Sequence, residues 1–97
     1  MKILIVKLGA LGDVVRTTVL LRELGGEIHW LSRETARDLL MSDRIHRKYF
    51  IEEVSDIENL KKLHFDWVIS LDEGLDVLKL VSQIKKNRLT GIFLNGN

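Results

Sequence analysis

The stretch "ILIVKLGALGDVV", Ile3 to Val15, decides how the rest of the chain is read. Ile3 to Val6 are four consecutive apolar residues, the pattern of a strand buried on both faces. Gly9 and Gly12 bracket the turn that follows. Asp13 then opens an amphipathic segment with apolar positions at Val14, Val15, Leu20, Leu21 and Leu24, and Gly25-Gly26 stops it. A doubly buried strand, a glycine turn and a helix form the opening unit of an α/β domain.

The same alternation continues to the end of the chain. "EIHWL" (27–31) is a second strand, and Ser32 is an N-cap for a helix reaching about Met41. "RKYFI" (47–51) is a third strand, whose Arg47 and Lys48 suit a sheet edge. "SDIE" (55–58) fits a capping box, which predicts a helix to about Leu63. "WVISL" (67–71) is a second nearly all-apolar strand. A helix over 75–86, ending near Asn87, and a last strand over 88–94 complete the series.

The expected fold is a Rossmann-like, doubly wound parallel sheet of about five strands in the order 3-2-1-4-5, with helices on both faces. That order puts the two most apolar strands side by side. The switch point lies between them, so a ligand is expected at their carboxyl ends, near Lys7 to Asp13 and Asp72 to Gly74.

Composition narrows the function classes. With 97 residues, 45% hydrophobic and 30% charged, the chain reads as one folded domain, 1–97, rather than a disordered segment. A net charge of +1 gives no electrostatic case for nucleic acid. Without cysteine there is no disulfide, no thiolate zinc site and no thiol nucleophile, and a cytoplasmic location is expected. Lys7 and Asp13 interrupt the apolar start, so it does not read as a signal peptide.

"GALGD" lacks the third glycine of a dinucleotide fingerprint, and no Gly-Lys-Ser/Thr follows to make a phosphate-binding P-loop. Gly9 and Gly12 serve either turn chemistry or close approach of a substrate to the backbone. Asp13 is either an N-cap or a general base. Capping stabilises the anion and lowers basicity, and local chemistry favours the cap. Arg16 either pairs with Asp13 or holds an anionic substrate group. Lys7 needs a carboxylate or the cleft, because an unpaired buried ammonium is costly. Asp72 and Glu73 divide between capping the following helix and lining the cleft. His29, His46 and His64 lack metal-ligand spacing, and no metal site is expected. Trp30 and Trp67 read as core. Lys85, Lys86 and Arg88 read as cations at a helix end.

These residues carry a resemblance. Lys7, Gly9, Leu11, Gly12, Asp13, Val14, Thr17 and Thr18 match K-x-G-x-L-G-D-V-x-x-T/H-T. With "EIHWLS", "FDWVISLDEG" and "TGI" in order, the chain resembles the N-terminal part of glycosyltransferase family 9, the lipopolysaccharide heptosyltransferases and their relatives. Val19 stands where the family usually has a proline.

The resemblance implies the acceptor-side half of a GT-B architecture, inverting and without a catalytic metal or other cofactor. The donor, ADP-heptose or a similar nucleotide sugar, belongs to a C-terminal domain outside "FLNGN". These 97 residues alone are expected to be inactive. The acceptor is a sugar of the lipopolysaccharide-core type, so peripheral association with the inner face of the cytoplasmic membrane is expected. Asp13 is the implied base. Lys7, Gly9, Ala10, Leu11, Gly12, Arg16, Thr17, Asp72 and Glu73 are the candidate substrate contacts. The alternative is a stand-alone, non-catalytic α/β binding or interaction module. If the family domain continues past the last strand, an open apolar edge at Leu89 to Leu94 is expected to cause self-association or poor solubility.

Overall fold

A run such as Ile3 to Val6 has no polar face, so it is stable only where both faces are covered. The computed structural model describes residues 1–8, 24–40, 44–72 and 74–91, and there this strand sits at the centre of a sheet. The strands are β1 (Lys2–Val6), β2 (Glu27–Ser32), β3 (Ile45–Phe50), β4 (His64–Ser70) and β5 (Lys85–Gly91). All pairings are parallel and the order is β3-β2-β1-β4-β5, the predicted one. The chain is therefore an α/β, Rossmann-like domain.

Two helices, α1 (Val54–Lys62) and α2 (Leu75–Gln83), return on one face. Leu60, Val77, Leu80 and Val81 pack there on Leu4, Val6, Leu31 and Val68. The other face carries a 3-10 helix, Glu34–Leu39, with Ala36 and Leu40 against Ile3, Ile5, Ile28 and Trp30. Connections on opposite faces follow from strand order, since parallel crossovers are right-handed.

Several boundaries differ from expectation, each for a local reason. Ser32 does not cap a helix to Met41. It ends β2, where its carbonyl accepts the Ile51 N–H at 2.9 Å, and Arg33 precedes the 3-10 helix. The Glu52 carboxylate accepts the Glu34 N–H at 2.9 Å, so a distant side chain satisfies this helix start. The capping box at Ser55 is not formed. Glu53 precedes α1 and Ser55 lies inside it, while Asp56 accepts the Phe50 N–H at 2.9 Å and ties the helix to β3. β3 begins earlier than expected, at Ile45, and so does β4, at His64.

The cations expected at a helix end lie on β5, because α2 stops at Gln83. Lys86 still reaches back, donating to the carbonyls of Val81 (2.9 Å) and Ile84 (3.0 Å). Trp30 is fully buried as expected, but Trp67 is only half-buried. The Trp67 indole N–H donates to Thr90 Oγ1 at 3.1 Å, and the Arg88 guanidinium lies 4.3 Å from the ring centroid.

Gly91 closes β5 with φ +147°, and a Cβ there would overlap the backbone of its register partner Ser70. Gly91→Ala is expected to cost about 2–3 kcal/mol, combining backbone strain with overpacking. The midpoint of urea unfolding measures it.

His29 on β2 is buried and links the buried Tyr49 to the half-exposed Glu27. Its Nε2 lies 2.5 Å from Glu27 Oε2 and its Nδ1 2.8 Å from the Tyr49 hydroxyl. The ionised carboxylate only accepts, so Nε2 carries the proton and Nδ1 accepts from Tyr49. Burial pushes the imidazole below the ordinary 6.5, against the opposing pull of Glu27. Above that ordinary value both folded and unfolded states are neutral and the full stability is present. As pH falls below it, the unfolded chain takes a proton that the fold resists, so stability declines toward the folded value. Chemical unfolding between pH 7.5 and 5 is expected to show this slope. His29→Phe is expected to flatten it, and an unchanged slope would place the effect elsewhere.

Candidate functional site

In an open parallel sheet the crevice forms where neighbouring connections leave in opposite directions, at the strands' carboxyl ends. Here that point lies between β1 and β4. Lys7 follows β1 and Asp72 follows β4, so the fold brings together two sequence candidates 65 positions apart. Gly9, Ala10, Leu11, Gly12, Asp13, Arg16, Thr17 and Glu73 lie outside the described residues.

Both described candidates are mostly covered, with 13% of the Lys7 and 14% of the Asp72 side chain exposed. Lys7 Nζ is 3.8 Å from Asp72 Oδ1 and donates to the Leu71 carbonyl at 3.4 Å. Asp72 Oδ2 accepts the Leu8 N–H. The expected choice for Asp72, cap or cleft, has a third answer. Gly74 precedes α2 with no side-chain cap among the described residues, while the carboxylate crosses to Leu8, just after β1. The lysine's need for a carboxylate is met by the same crossing. At the switch point between the ends of β1 and β4, Lys7 and Asp72 thus answer each other's charge.

The sequence offered neither of two hydroxyls here as a site residue, and read Ser32 only as a helix cap. Ser32 and Ser70 end β2 and β4, the strands on either side of β1, and both are buried. Neither Oγ has a hydrogen-bond partner among the described residues. Their signal was present, since each apolar run, "HWLS" and "WVIS", closes on a small polar residue.

A separate open cavity of about 470 Å³ is lined by Met1, Asp66, Trp67 and Arg88. Trp67 pairs in register with Ile3, four residues before Lys7. The cavity thus sits about 13 Å back along the strand, toward the amino edge, and is not part of the crevice. Among the described residues no group of three or more potential ligands could hold a metal, and no helix is long and apolar enough to cross a membrane.

Comparison with protein-family models, with curated proteins and with solved structures returns no match.

Proposed function

We propose that this chain is the acceptor-side domain of an inverting, heptosyltransferase-like glycosyltransferase. One observation carries the reading. The motif from Lys7 to Thr18 begins where β1 ends, beside β4, at the sheet's ligand-binding edge. Asp13 takes the proton of the acceptor hydroxyl as that oxygen attacks the anomeric carbon of the donor sugar. The carbon–oxygen bond to the nucleoside diphosphate breaks on the opposite face, which inverts the configuration. A second, nucleotide-binding domain supplies the donor sugar and stabilises the departing diphosphate. The setting is the cytoplasm, at the inner face of the membrane where lipid-linked acceptors are presented.

The test supplies a separately expressed donor domain of this class, ADP-heptose and a lipopolysaccharide-core acceptor, and follows product by mass spectrometry. Transfer that requires this chain supports the reading.

A second reading is a binding module without catalysis. It is favoured by the Lys7–Asp72 pair, whose charges answer each other rather than facing the crevice unpaired. Binding of the acceptor in calorimetry, with no transfer under any donor, would decide for it.

A further inference from the structure

We propose that Asp72 is a positioning residue whose carboxylate replaces the next backbone rung between β1 and β4, fixing where the chain leaves the sheet after Leu8. The functional part rests on the reading of the motif that begins at Lys7 as the acceptor site.

Val6 and Ser70 are the last register pair of these strands, and the Leu71 N–H donates to the Val6 carbonyl at 2.8 Å. In a parallel ladder the next bond runs from the Leu8 N–H to the Leu71 carbonyl. That bond is not made, and side chains take over both of its ends. Asp72 Oδ2 accepts the Leu8 N–H, and Lys7 Nζ donates to the Leu71 carbonyl. The two substitutes then meet, Nζ to Oδ1, at 3.8 Å.

The Leu8 N–H and the Leu71 carbonyl are thus satisfied without a direct bond between the two strand ends. The carboxylate is engaged through both oxygens, so Asp72 acts through Leu8 and Lys7 rather than on substrate.

Asp72→Asn and Asp72→Ala separate the two halves of this device. Asparagine keeps an acceptor for the Leu8 N–H and loses the charge facing Lys7. Alanine loses both. Exchange of the Leu8 amide, read by NMR, is expected to stay slow in Asp72→Asn and to quicken by about tenfold or more in Asp72→Ala. Acetylation of Lys7 by acetic anhydride, normalised to the exposed Lys79, is expected to rise several-fold in both variants. In the transfer assay, Asp72→Ala is expected to lower kcat several-fold more than Asp72→Asn does.

Unchanged Lys7 labelling in Asp72→Asn overturns the proposal, even if Asp72→Ala fails to fold. So does a Leu8 amide indifferent to Asp72→Ala. If exchange and labelling respond while the parent chain transfers no sugar when supplied with the donor domain, the side-chain rung stands and the glycosyltransferase reading falls.

Discussion

Asp13→Asn is expected to lower sugar transfer by about 10²–10⁴-fold, the usual contribution of a positioned proton acceptor. The substitution is chosen because it divides the two roles the sequence allows. Asparagine caps helix starts about as well as aspartate, so the backbone bonds of a cap survive it. Loss of the negative charge at a helix start costs only about 0.3–1 kcal/mol. What asparagine cannot do is accept a proton from a hydroxyl. A stable variant with lost turnover therefore identifies a base. Near-normal turnover would leave Asp13 a cap and nothing more. Asp13→Ala is the complement, expected to add about 1 kcal/mol of lost stability to the same loss of rate.

The largest effect on stability is expected from Trp30→Ala, about 3–5 kcal/mol. Trp30 is fully buried in the middle of β2, among Ile3, Ile5, Ile28, Ala36, Leu40, Ile45 and Ile69. Truncation would leave a cavity in the face that carries only a 3-10 helix among the described elements. A domain of this size has about 5–15 kcal/mol in total, so the variant is expected near the edge of folding. One detail moderates a gentler change. The indole N–H has no partner among the described residues, and an unmet buried donor costs about 1–3 kcal/mol. Trp30→Phe removes that donor and keeps most of the ring, so its net cost is expected within about 1.5 kcal/mol. Urea unfolding followed through Trp67 fluorescence measures both variants. Equal losses for Ala and Phe would contradict this division between volume and polarity.

Strand order was legible because hydrophobicity ranks the strands. "ILIV" and "WVIS" have no polar face and must lie inside, whereas Arg47 and Lys48 need an edge. Helix starts were less legible, because capping is settled by whichever acceptor arrives. Ser32 was drawn into β2 by β3, and the Glu34 N–H found Glu52, 18 residues away. Trp67 misled for a related reason. An aromatic residue in an apolar strand reads as core, but its burial depends on what covers that face of β4.

By itself, the amino-acid sequence determined the α/β class, the central strands and the strand order that puts the switch point between β1 and β4. These follow from short-range periodicity and from the rule that apolar strands are covered on both sides. It also left Lys7 needing either a carboxylate or the cleft, since an unpaired buried ammonium is costly. Only the tertiary structure decided which carboxylate, and what else that group does. Asp72 is 65 residues away, and its second oxygen holds the Leu8 amide in place of a backbone carbonyl. Periodicity reports which way side chains face along one segment. It does not report which partner another segment brings alongside, because register between strands is set by packing across the whole sheet.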